Sequence, residues 1–112
     1  MDQSHSSYSL TYDHIGIPTK ERSDDEVYSA DFHAHSWRAG NDSLRIEKVR
    51  FDANAPFPDD IRNRPHIAFK VDSLEKAVTG KKLLVPITEQ KPGIQFAFVD
   101  IEGVLIEFFQ IG

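Results

Sequence analysis

The chain contains no cysteine. Disulfides, thiolate metal sites and a cysteine nucleophile are therefore excluded, and the composition agrees with the expected cytoplasmic location. No apolar run approaches the roughly 20 residues that a membrane-spanning helix needs. Met1 to Tyr8 has neither the basic nor the apolar region of a signal peptide. Basic charge is also scarce: 13 Lys and Arg stand against 18 Asp and Glu, a formal net charge of -5. The basic residues are scattered, and Lys81-Lys82 is their only adjacent pair. Nucleic acid, which needs clustered Lys and Arg, is not an expected partner, and neither is a membrane. Glycine forms no phosphate-binding loop, since Gly16 and Gly40 stand alone. The serines lack a nucleophile-elbow context.

What is present is a patterned chain of 112 residues, 39% hydrophobic and 11% aromatic. That length and composition predict one globular domain over residues 1–112, with residues 1–9, including His5, as a loose polar tail. Leu10 to Ile17 alternates and predicts a strand, ended by Pro18. Thr19 to Glu26 is charged and helix-compatible, with Ser23 as an N-cap, although short. Phe32 to Arg38 and Leu44 to Phe51 predict a hairpin closed by Ala39-Gly40-Asn41-Asp42. Asp52 to Pro65, with Pro56, Pro58 and Pro65, reads as an extended connection with one turn at Pro58 to Ile61. His66 to Val71 predicts a strand. Asp72 to Val78 predicts a capped short helix that stops near Gly80. Leu83 to Ile87, interrupted by Pro86, predicts an edge strand. Ile94 to Val99 and Val104 to Gln110 predict a final hairpin.

The plan repeats. Asp13-His14-Ile15-Gly16-Ile17 parallels Pro65-His66-Ile67-Ala68-Phe69, and Ile46-Glu47 parallels Ile106-Glu107. Two successive units of one plan point to an internal duplication. Strand alternation puts each of these His and Glu residues opposite an aliphatic face, expected to pack on helices. Glu107, inside Val104-Leu105-Ile106-Glu107-Phe108-Phe109, needs a cation, a metal or water, because an unpaired buried charge is costly. Two imidazoles and two carboxylates offer a divalent ion four nitrogen and oxygen ligands, suited to Zn, Ni, Mn, Co or Fe(II). Arg45 and Lys70 share parity with Glu47 and His66, so they grip an anionic substrate, neutralise those carboxylates or simply reach solvent. Tyr12, Trp37, Phe51 and Phe109 either line an apolar pocket or pack as core. His33 and His35 lie beside Trp37 by parity, as a His-x-His pair or as part of an exposed strand face.

Three stretches resemble the vicinal oxygen chelate superfamily, which includes glyoxalase I, bleomycin- and fosfomycin-resistance proteins and extradiol dioxygenases. They are Tyr12 to Ile17, Pro65 to Asp72 and Phe98 to Glu107. The resemblance implies an α+β fold of two paired βαβββ-like modules forming a curved sheet around a cleft. The first module is abbreviated, since Pro18 to Asp31 leaves little room for a helix and a strand. It implies His14, Glu47, His66 and Glu107 as metal ligands, and a Lewis-acidic ion that chelates two oxygens of a small oxygen-rich substrate and stabilises an enediolate-like intermediate. Glu107 or Glu47 would then be the general base, and Tyr12, Trp37, Arg45, Lys70 and Phe109 would contact the substrate. A glutathione-binding set is not recognisable. The family also implies a homodimer. It leaves two alternatives: a metal-free, resistance-type protein that binds a small molecule, and an extradiol-type dioxygenase with His14, His66 and Glu107 around Fe(II).

Overall fold

Among the described residues, 7–40 and 43–112 of this computed structural model, ten elements follow one another. They are β1 (Leu10–Pro18), β2 (Val27–Ser29), β3 (Ala34–Arg38), β4 (Ile46–Phe51), α1 (Asp59–Asn63), β5 (His66–Val71), α2 (Leu74–Val78), β6 (Lys82–Lys91), β7 (Ile94–Ile101) and β8 (Val104–Ile111). The fold is mixed α+β, with few and short helices. No described helix is long and apolar enough to cross a membrane. Met1 to Ser6, with His5, lie outside the described residues, as do Asn41 and Asp42 of the expected β3–β4 turn. The chain divides into two compact units, one of Asp13–Ile67 and one that joins the N-terminal segment through Tyr12 to Ala68–Gly112.

In the unit of Asp13–Ile67 the strand order is β2-β3-β4-β1. β2, β3 and β4 form an antiparallel meander, and β4 runs parallel to β1 with Ile15 opposite Ile46 and Gly16 opposite Glu47. The small Ala34 lies opposite Phe51 and leaves room for ring packing. Phe57 stands 5.7 Å from Phe51 and 5.3 Å from Phe32, between ring centroids. Ile61, the one apolar residue of α1, is only 1% exposed.

Two expectations for this unit are corrected. Thr19 to Glu26 forms no helix. Ser23 and Glu26 close a single reciprocal turn: the Ser23 backbone N–H donates to Glu26 Oε2 at 3.2 Å, and the Asp25 N–H donates to Ser23 Oγ at 3.1 Å. The chain then enters β2, a three-residue strand that alternation alone does not reveal. The second correction explains the first. The face of β4 opposite Glu47, expected to be aliphatic, is Ile46, Lys48 and Arg50, with Lys48 and Arg50 in register with Trp37 and His35 of β3. An apolar helix stripe has little to gain on a face carrying two cations. The acidic loop supplies anions instead: Glu21 reaches Lys48 at 3.0 Å, and Glu26 takes Arg50 in a two-pronged pair at 2.8 and 2.9 Å. His35 joins them, with Nδ1 3.3 Å from Glu26 and Nε2 3.2 Å from Asp52. So the His33/His35 stretch is part of an ion network: Tyr28 lies 4.7 Å from the His35 ring, and its hydroxyl 3.4 Å from His33 Nδ1.

In the other unit the order is β5-β8-β7-β6. β7 and β8 pair without interruption from Ile94 opposite Ile111 to Ile101 opposite Val104. Their two-residue turn has both central residues at positive φ, Glu102 at 53° and Gly103 at 86°. That is the type I′ geometry whose twist matches a hairpin, and Asp100 Oδ1 accepts the Gly103 N–H at 2.9 Å. β6 is the outer strand and follows β7 through three register shifts around Pro86. α2 is capped by Ser73, whose Oγ accepts the Lys76 N–H at 3.3 Å, and it buries Leu74 and Ala77 against β6, β7 and β8. The Leu74 N–H donates to Gln110 Oε1 at 2.7 Å, which puts the helix on the Ile106, Phe108 and Gln110 face of β8. As alternation requires, Glu107 is on the other face, with Leu105 and Phe109.

The N-terminal segment is pinned to this unit. Tyr8 meets Phe108 edge to face at 6.2 Å, Lys81 Nζ stands 5.5 Å from the Tyr8 ring centre, and the Ser9 N–H donates to Asp72 Oδ1 at 2.8 Å. An aromatic pair and a cation over a ring each contribute on the order of 1 kcal/mol. Tyr8→Ala is therefore expected to lower the unfolding free energy by about 1–2 kcal/mol in urea titration; an unchanged midpoint would show that the segment adds nothing.

Candidate metal centre

β1 and the start of β5 bring two histidines together in the unit of Asp13–Ile67. The rings of His14 and His66 meet edge to face, 5.7 Å between centroids at 78°. They are 52 positions apart (66 − 14), so no local pattern in the sequence reports the contact.

His66 opens β5 and is 8% exposed. Its ring occupies the space above Gly16. A Cβ built on Gly16 would lie 2.6 Å from Nε2 and 2.9 Å from Nδ1, and closer still to Cε1. Gly16 is thus required for room, not for an unusual backbone angle. In the sequence it figures as a lone glycine outside any phosphate loop and as one position of the repeat. The signal that finds it is a glycine inside a strand, which marks a close approach by another group.

His14 is largely shielded, with its side chain 15% exposed. Its Nδ1 is 2.7 Å from Asp13 Oδ2, and Asp13 Oδ1 is 3.6 Å from Arg45 Nη2. A carboxylate only accepts, so Nδ1 is the donor and carries the hydrogen. In the neutral ring the lone pair then lies on Nε2. Asp13 has a role that sequence reasoning missed, although the Asp13-His14 dipeptide was in view. Arg45, at φ 57°, makes a loose pair with Asp13 rather than with Glu47.

Glu47 on β4 shares the sheet level of Gly16 on β1 and of Arg38 on β3. Its Oε2 is 3.5 Å from Arg38 Nη2, a loose pair with Arg38 46% exposed. Such a surface pair is worth at most about 1 kcal/mol, so the carboxylate is held weakly. Trp37 is in register with Lys48, one residue from the Glu47 level, and therefore projects from the reverse face of the sheet.

The remaining site residues belong to the other unit. Glu107 is half-buried on β8, opposite Phe98 and between buried Ile106 and Phe108. Phe109 shares its face and lies opposite Phe96. Tyr12 packs edge to face on Phe69 at 6.2 Å, in a chain of rings that continues to Phe108 at 6.4 Å and Tyr8. Lys70 is exposed on β5. No protein-family model matches the chain, and no curated protein matches it.

Proposed function

We propose that the chain is a small metal-dependent enzyme of the glyoxalase/dioxygenase type, made of two paired βαβββ-like modules of which the first lacks its helix. The observation that carries this is the histidine pair. One imidazole is seated in a glycine niche, and the other is held through Nδ1 by a carboxylate so that Nε2 keeps its lone pair. A buried His beside another His is poorly suited to plain packing, but it is the start of a nitrogen ligand set. Strand order supports the duplication: β2-β3-β4-β1 and β6-β7-β8-β5 follow one plan, with the first strand of each quartet beside its fourth.

In this reading His14 and His66 supply nitrogen ligands and Glu107 an oxygen ligand, with Glu47 as a further carboxylate. The donor set is nitrogen and oxygen without sulfur, which fits Zn, Ni, Mn, Co or Fe(II). Bound there, a divalent ion supplies Lewis acidity to two oxygens of a small oxygen-rich substrate. The chain's own groups orient and deprotonate that substrate: Phe109 gives it an apolar wall, Lys70 attracts its negative charge, and Glu107 or Glu47 accepts its proton. In the three-ligand version, two histidines and Glu107 hold the ion and Glu47 acts on substrate; in the four-ligand version Glu47 joins them.

Elemental analysis of the purified protein tests the proposal. About one divalent ion per chain is expected, lost in His66→Ala and Glu107→Gln. Retention in Glu47→Gln marks the three-ligand set, and loss marks four ligands. If wild-type protein takes up no ion when each metal is supplied, the metal reading falls and a metal-free binding protein replaces it.

A further inference from the structure

We infer that Asp13 is a positioning residue that sets the tautomer of His14. The inference rests on the metal reading above for its purpose, but not for its geometry. Asp13 Oδ2 stands 2.7 Å from His14 Nδ1, and the other oxygen faces Arg45 at 3.6 Å. The carboxylate thus accepts from the imidazole on one side and has a loose ion pair with the half-exposed Arg45 on the other. A free neutral histidine favours hydrogen on Nε2, which would point a donor at an incoming cation and repel it. A carboxylate on Nδ1 reverses that preference, because it can only accept. It also stops the ring from turning about its Cβ–Cγ bond, and it raises the basicity of Nε2 toward a metal.

The arrangement uses two adjacent residues of one strand. On a regular strand they would point to opposite faces, so the contact requires Asp13 to fold back toward the His14 ring. Arg45, from the segment leading into β4, faces the oxygen that His14 leaves available. Arg45 therefore supports Asp13 from a distance and has no need to touch substrate.

Two readouts test the assignment. The first is the nitrogen-15 spectrum of the histidine side chains in metal-free protein at pH 8, with His14 identified by the signals that His14→Gln removes. Wild type is expected to show hydrogen on Nδ1 of His14, and Asp13→Ala to show it on Nε2. Hydrogen on Nε2 in wild type, or no change in Asp13→Ala, overturns the inference. The second is zinc affinity by titration calorimetry. Loss of an outer-shell carboxylate is expected to weaken binding about 10–100-fold in Asp13→Ala. Asp13→Asn, whose amide oxygen still accepts, should fall between that variant and wild type. Equal zinc affinity in all three proteins overturns the positioning role. If wild type binds no zinc or other supplied divalent ion, the metal reading fails by itself, and the tautomer result still decides whether Asp13 sets the ring.

Discussion

Gly16→Ala is expected to evict the His66 ring. The added methyl would lie 2.6 Å from Nε2 and 2.9 Å from Nδ1, against an ordinary contact of about 3.5–4.0 Å. His66 is buried at the first position of β5 and has little freedom to retreat, while Gly16 is fixed by its pairing opposite Glu47. Overfilling a packed site costs about 1–3 kcal/mol, so the urea midpoint should fall by a corresponding amount. If His66 is a metal ligand as proposed, zinc affinity should fall on the order of 100-fold or more, since the ligand moves rather than merely loses its support. His66→Ala makes room for the methyl, so the double variant should be more stable than the sum of the two single effects. Wild-type stability and zinc affinity in Gly16→Ala would show that the ring does not need the glycine.

Arg50→Ala is the second large effect. The Arg50 side chain is 12% exposed and its Glu26 partner 21%, and their two hydrogen bonds are 2.8 and 2.9 Å long. Both groups are shielded enough that the pair is not a screened surface contact. Removing the guanidinium leaves Glu26 with only the Ser23 N–H and His35 beside it. Hydrogen bonds to charged groups contribute about 1.5–3 kcal/mol, and stranding a half-buried carboxylate costs more, so a loss of about 3 kcal/mol is expected in urea unfolding. The loop should also loosen, and trypsin should cut faster at Lys20 and Arg22. A loss under about 0.5 kcal/mol, the range of ordinary surface changes, would show that the loop is held by something else.

The parts of the fold legible from sequence were those whose cause is local. Ser73 before Leu74 predicts the α2 cap because a hydroxyl two or three residues from a free N–H needs no distant partner. The hairpin of Ile94 to Val99 and Val104 to Gln110 is legible as alternation, which also separates Glu107 from the helix-facing Ile106 and Phe108. Where the cause is distant, the reading stopped. Thr19 to Glu26 has the composition of a helix start, and the reason it remains a loop is Lys48 and Arg50 on another strand. β2 escaped notice because three residues do not establish a period. At the candidate site, residue type and parity singled out His14 and His66. The niche above Gly16, the hold of Asp13 on Nδ1 and the pairing of Arg45 with Asp13 are products of side-chain geometry, to which alternation is blind. Trp37 shows the opposite hazard. As an aromatic residue in a strand it looked like a pocket wall, yet its register with Lys48 turns it to the face away from Glu47.

The irregular outer strand β6 also bears on how the protein behaves in crowded solution. Phe96, Ala97, Phe98 and Val99 of β7 form an uncharged, strand-prone run, all four buried. Such a run is the kind of segment that seeds aggregates when its backbone is open to another chain. It is flanked on one side by β8 and on the other by β6, so every copy that would reach it must first join β6. That edge is a poor template. Pro86 has no N–H to offer, three register shifts break the even spacing of the ladder, and Lys82 and Lys91 place like charge at both ends of the strand. A second copy approaching in register would meet a missing donor, a bend and its own charge, which are the devices that keep open sheet edges from polymerising.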